Sequence, residues 1–186
     1  MLRRASLWQK MKAIKPKQYL LFGTALIVVL LLFALRHYLL LLALLAVNIA
    51  SSAILKTVRR NQIGVEMVMF STVISGVLYG PAIGAVIGAV SMLIDYAFAT
   101  RLSFFSIVTV PSYAAAGYIS GLVGNSISIT RLGISITIIY VLFTNTIIVA
   151  FMGGTLSKSI RFAATDVAFN AVMFSTVAPF VLNLTS

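Results

Sequence analysis

Residues 76–96 read GVLYGPAIGAVIGAVSMLIDY. Gly76, Gly80, Gly84 and Gly88 fall at a strict spacing of four, with Pro81 inside the ladder and Asp95 seven residues past its last glycine. Small residues four apart share one face of a helix and let a second backbone come close, a main source of helix association in lipid. Proline removes a backbone donor and restrains the residue before it, so Gly80-Pro81 is read as a turn. The ladder is then a hairpin. Gly76 and Gly80 close one helix, Gly84 and Gly88 open the next, and that second helix ends near a carboxylate. This is the pattern of a packed polytopic membrane protein.

Composition points the same way. Of 186 residues, 61% are hydrophobic and 9% charged, with a mean hydropathy of +1.09; a soluble domain carries about a quarter charged residues. Cysteine is absent, which excludes disulfides, thiol chemistry and zinc–thiolate sites. A single histidine, His37, excludes a multi-histidine metal centre, and Glu66, Asp95 and Asp166 are all the carboxylates the chain has. The net charge of +11 is carried at the ends of apolar segments, where basic residues set topology and meet anionic headgroups. The expected partner is therefore the lipid bilayer and not nucleic acid. Walker A, HExxH and GxSxG motifs are missing, and Lys158 is read as lying between segments, away from a Schiff-base position. No enzymatic activity, cofactor or metal is expected.

Arg3, Arg4, Lys10, Lys12, Lys15 and Lys17 make residues 1–17 a basic, acid-free leader. No small-residue cleavage site follows it, so it is read as a retained cytoplasmic segment and not a signal peptide. Seven apolar segments come next, at 18–35, 38–55, 64–80, 81–99, 104–124, 133–156 and 161–184. Eighteen helical residues span about 27 Å, just enough for the hydrocarbon core. Arg36-His37 is read as a tight turn, and Pro111 and Pro179 as kinks or unwound turns. The expected fold is all-α, a polytopic transmembrane helical bundle of about seven apolar helices forming a single domain over 18–186.

Charge sets the expected orientation. With the N-terminus inside and all seven segments crossing, twelve basic residues lie inside, and Arg36 and Arg131 outside. If 64–80 did not fully cross, the split would be ten to four. The positive-inside rule prefers the first arrangement. The expected location is the cell (plasma) membrane, multi-pass, with a cytoplasmic N-terminus.

Few residues offer chemistry. A carboxylate at the bilayer centre costs about 2.5–3.5 kcal/mol, so such groups usually face a cavity or a partner. Asp95 is either part of a polar pocket or an interfacial acid paired with Arg101. Asp166 and Asn170 are one helical turn apart and are expected to face Asn145 with Thr144 or Thr146. That cluster is read as either a ligand site or interhelical packing. Glu66 is read as a helix-terminal cap favoured by the dipole. Tyr19, Tyr38, Tyr79 and Tyr96 are assigned to an interfacial belt. Tyr113 and Tyr118 are placed deeper, with Tyr113 the better pocket candidate. Gly117 and Gly121 repeat the close-packing spacing, as do Ala46 and Ala50.

The stretch SGVLYGPAIGAVIGAVSMLIDYAFATRLSFFSIVTVPSYAAAGYISGLVG, residues 75–124, resembles the substrate-binding S components of energy-coupling-factor vitamin transporters. In these a helix carrying GPxxGxxxG ends at a polar residue, and the next carries YxxxGYxxG-like small residues. The rod-shape-determining MreD family is similar over the same span, through GxxxGxxxxxxD followed by a helix with a tyrosine and GxxxG. The resemblance implies a six-helix S-component-like core plus an extra N-terminal helix at 18–35. Gly80, Pro81, Gly84 and Gly88 would match the third family helix and Asp95 its polar end. Ala46 and Ala50 would match the small-residue motif that docks on a transmembrane coupling subunit. The loop at 100–103 and the segment 157–161 would border a pocket for a vitamin-like solute. The sequence lacks an aromatic-rich loop between 56 and 64, and its preferred orientation puts Arg101 and Lys158 inside, where the family's corresponding loops are outside. Two functions follow as expectations. One is a small-solute-binding S-component-like protein working with a coupling subunit and ATPases. The other is an MreD-like membrane scaffold for envelope or cell-shape proteins.

Overall fold

The computed structural model of the chain describes residues 23–31, 35–54, 64–99 and 104–185. The leader at 1–17, Lys56, Arg59, Arg60 and the loop 100–103 with Arg101 lie outside the described residues. The described residues are mostly helical and contain no strand. The chain divides into two units, Met1–Leu40 and Leu41–Ser186. In the first, residues 23–31 are helical. Six further helices follow: α1 Arg36–Ile54, α2 Val68–Tyr79, α3 Pro81–Ala99, α4 Ser106–Val123, α5 Ile129–Phe151 and α6 Leu156–Thr185.

Four of these, over Pro81–Phe98, Ser106–Val123, Ile129–Phe151 and Leu156–Leu184, are long and apolar enough to cross a bilayer, and two shorter apolar helices cover Tyr38–Ile54 and Val68–Tyr79. The protein is accordingly membrane-embedded. At 12 residues, α2 extends only about 18 Å, short of the roughly 30 Å hydrocarbon core. It compensates by position, because every residue from Val68 to Gly76 is buried. α2 packs on α3 and α4 and, over smaller areas, on α6 and α5.

The glycine ladder explains that packing. Gly80 ends α2 with φ +91°, a conformation costly for any residue with a Cβ, and Pro81 opens α3. α2 and α3 fold back on one another, and α4 closes on both through Gly117 and Gly121. A Cβ at Gly84 would lie 2.5 Å from the Gly117 carbonyl oxygen and 2.5 Å from the Gly76 Cα. The same construction at Gly76, Gly88 and Gly121 would strike the backbone of Gly117, Tyr113 and Pro81 respectively. Three helices meet backbone to backbone here.

Several hydroxyls inside the bundle are satisfied locally. The hydroxyls of Ser71, Ser75, Ser120, Thr137 and Thr144 each donate to the carbonyl four residues earlier, at 2.6–2.7 Å. In lipid this removes the cost of a bare hydroxyl without committing a neighbouring helix. On the outside, large apolar residues such as Val86, Ile107, Ile139, Leu142 and Val172 are exposed, as a lipid-facing surface requires.

Several expected boundaries move. Arg36 and His37 do not form a turn; they open α1, with the Leu35 and Leu39 amides donating to Leu31 and Leu35 at 2.8 and 2.9 Å. α5 begins before Arg131 and α6 before Lys158 and Arg161, so only residues 152–155 separate them. An exposed basic residue can sit in a helical turn and send its charge outward, so a basic residue does not mark the helix end. α4 and α6 also run through Pro111 and Pro179 without an unwound turn. Tyr118 is half-exposed at 49% and does not pack in the core.

Candidate functional site

α3, α4, α5, α6 and the segment before α2 surround a cavity of about 380 Å³, within the size range of small-molecule sites. The residues ahead of α2 are built for this. Gly64, Val65 and Glu66 are non-helical, and irregular backbone survives at membrane depth only when buried in protein or lining a cavity. Gly64 lies flat on α6, its amide donating to the Thr165 hydroxyl at 2.8 Å. A Cβ there would come within 2.6 Å of the Asp166 Cβ and 2.7 Å of the Phe162 carbonyl oxygen. Gly64→Ala should therefore lift this segment from α6. The expected loss is about 1–3 kcal/mol of stability, measurable by reversible unfolding in mixed micelles.

That close approach delivers Glu66 to the cavity wall, 5% exposed, where its carboxylate accepts from the Tyr113 hydroxyl. Glu66 is thus not a cap: residue 67 precedes the first helical residue and α2 has no acid in its first turn. Tyr113 is fully buried and packs its ring on Tyr140, centroids 4.4 Å apart. Tyr140 lines the cavity and Tyr113 stands behind it.

Asp95 reaches the same cavity from the C-terminal half of α3, also 5% exposed. The Ser52 hydroxyl of α1 donates to it at 2.5 Å, and one turn earlier the Asn48 amide donates to the Ser91 carbonyl at 3.2 Å. These two bonds fix α1 on α3. Tyr96 faces the cavity, its hydroxyl 2.6 Å from that of Thr109. From α5 comes Asn145, whose buried Nδ2 has no hydrogen-bond partner among the described residues. The turn from α5 to α6 supplies Gly153, which has φ +70°, and Gly154, whose amide donates to the Ile148 carbonyl at 2.9 Å. Lys158, exposed in the first turns of α6, completes the wall.

Of the residues expected at a site, Asp95 and Asn145 line this cavity, while Arg101 lies outside the described residues. Asp166 and Asn170 are fully buried and paired, the Asn170 amide donating to the Asp166 carboxylate at 2.8 Å. Neither is among the lining residues, so the cluster drawn around Asn145 divides into a wall residue and a buried pair behind it. Ala46 and Ala50 are exposed on α1. Glu66, expected as a helix cap, is the wall residue that sequence reasoning assigned elsewhere, and Lys158 falls in the segment 157–161 that the resemblance places beside the pocket. The missed signal was Gly64, whose position two residues ahead of Glu66 permits the backbone insertion. Among the described residues no group of three histidine, cysteine, aspartate or glutamate side chains can hold a metal ion.

What the arrangement offers is a partly enclosed space with two carboxylates, one amine, an amide and several aromatic rings. Compared with known proteins, the chain matches no family model, no curated protein and no solved structure.

Proposed function

We propose that this chain is an integral membrane protein that binds a small solute inside its helical bundle and works with a partner transporter, as an S-component-like protein would. The observation that carries this reading is the 380 Å³ cavity with Glu66 and Asp95 in its wall. Carboxylates are costly at membrane depth and persist there when they face a cavity, a partner or a pathway. In this reading α1 to α6 are the six-helix core, the helical residues 23–31 belong to the additional N-terminal segment, and the exposed Ala46 and Ala50 are the docking face for a coupling subunit.

Thr155 is exposed at the cavity wall, so Thr155→Trp should fill the opening without disturbing the core. The low-molecular-weight fraction of a cell extract is expected to raise the unfolding temperature of the purified protein by roughly 5 °C. The same fraction should leave Thr155→Trp unmoved. No rise with the unsubstituted protein, together with co-purification of envelope or filament proteins, would replace transport by the MreD-like scaffold.

A further inference from the structure

We propose that the solute is a single-tailed amphiphile, its uncharged, oxygen-bearing head at Asn145 in the cavity wall and its tail in the lipid-facing groove between α5 and α6. This names the class of solute and rests on the solute-binding reading above. A groove of about 360 Å³ runs between the two helices on the side where Leu142, Leu156 and Ile160 are exposed. It continues into a second groove of about 410 Å³, and Val141, Leu142 and Ala163 line both, so the two form one trough. The first groove also meets the cavity, because Asn145 and Ser159 line the two spaces alike. Polar space inside the bundle and apolar space facing lipid are therefore separated by two side chains only.

Asn145 supplies the hydrogen bond. Its Nδ2 is buried and has no partner among the described residues. A bare donor is costly where lipid replaces water, and the neighbouring Thr144 hydroxyl has avoided that cost by donating to the Tyr140 carbonyl at 2.7 Å. An amide turns easily about its last bond, so a small rotation presents the nitrogen to an oxygen in either space. Amide and hydroxyl are both uncharged, which suits a neutral head. The trough sets the tail. Ala163, Ala168 and Ala171 leave room on α6 that longer side chains would fill. Between Leu156 and Ala171 α6 rises about 22 Å, and one leaflet of hydrocarbon is about 15 Å deep, so a tail of lipid length lies along it.

Photolabelling of the full chain in phospholipid nanodiscs tests this with two probes, monolaurin and dodecane, each carrying a diazirine in its tail. They share the tail and differ in the head. Monolaurin label should concentrate on the trough, and unlabelled monolaurin should compete for it where glycerol does not. Ala168→Phe, at an exposed position in the trough, should weaken both probes at least about fivefold. Val86→Phe, exposed on α3, should change neither. Asn145→Leu keeps the size and removes the donor, so it should weaken monolaurin about threefold to tenfold and leave the dodecane label in place. In the unsubstituted protein, monolaurin should displace the dodecane label at about threefold to tenfold lower bilayer concentration than dodecane does. Equal potency there overturns the head at Asn145, whether or not Asn145→Leu folds. Monolaurin labelling that a folded Asn145→Leu leaves unchanged overturns it too. Label spread evenly over the lipid-facing helices means annular lipid only and overturns the amphiphile. The solute-binding reading itself falls only if the extract fraction leaves the unfolding temperature unchanged.

Discussion

Gly117→Ala is expected to unfold or severely destabilise the bundle, and Gly117→Leu to abolish the folded protein. A Cβ on Gly117 would be driven into the Gly84 carbonyl and would come 3.0 Å from the Ala85 nitrogen. Overpacking normally costs about 1–3 kcal/mol because side chains rotate away. Here the obstructing atoms are backbone, which moves only if a whole helix moves. Displacing α4 would also part Gly76 from Gly117 and Gly121 from Pro81, so one methyl group opens the seam among three helices. The expected loss is therefore at or above the upper end, about 3 kcal/mol or more. Reversible unfolding of the purified variant measures it. Gly23→Ala is the control, since a Cβ there meets nothing within 4 Å. It should leave stability unchanged or slightly raised, as alanine favours helix over glycine by about 1 kcal/mol. A Gly117→Ala protein as stable as this control would refute backbone-to-backbone packing of α3 and α4.

Glu66→Ala should be the second most damaging change. It removes a wall carboxylate and leaves the fully buried Tyr113 hydroxyl without the acceptor it now has. An orphaned buried hydroxyl costs about 1–3 kcal/mol, whereas removing both partners together is close to neutral. Tyr113→Phe added to Glu66→Ala should therefore restore much of the lost stability, with the Tyr113 ring still packed on Tyr140. Binding should not return with it, because the carboxylate is missing in both variants. A double mutant no more stable than Glu66→Ala would show that the pair makes no net contribution and that Glu66 acts on folding through other contacts. Restored binding in the double mutant would remove Glu66 from the site.

The place of Glu66 is not fixed by its neighbours in the chain. Seen along the chain, an acid just before an apolar run is favoured by the helix dipole, and nothing nearby says otherwise. What places it in the cavity is Gly64 pressed on α6, about a hundred residues later. Asp95 was legible as a membrane carboxylate, but its partner Ser52 lies on a helix 43 residues earlier. Lys158 sits in the first turns of a helix and not between segments. An exposed lysine does not end one. Asp166 and Asn170 share one helical face, since a spacing of four is local geometry, yet they are buried and neither lines the cavity.

The membrane class, the all-helical architecture and the turn at Gly80-Pro81 are set by the chain's own composition and spacing. Apolar length, small residues at intervals of four and a proline after glycine act through neighbours a few residues apart, and such effects hold in any fold that keeps the helices. Which faces of those helices meet, and which polar groups share a cavity, was decided by packing. The short helix α2 is buried among its neighbours, and the segment ahead of it enters the bundle because Gly64 alone allows contact with α6. Contacts between residues 43 and 101 positions apart depend on how whole helices are arranged, and no local pattern of residue types carries that information.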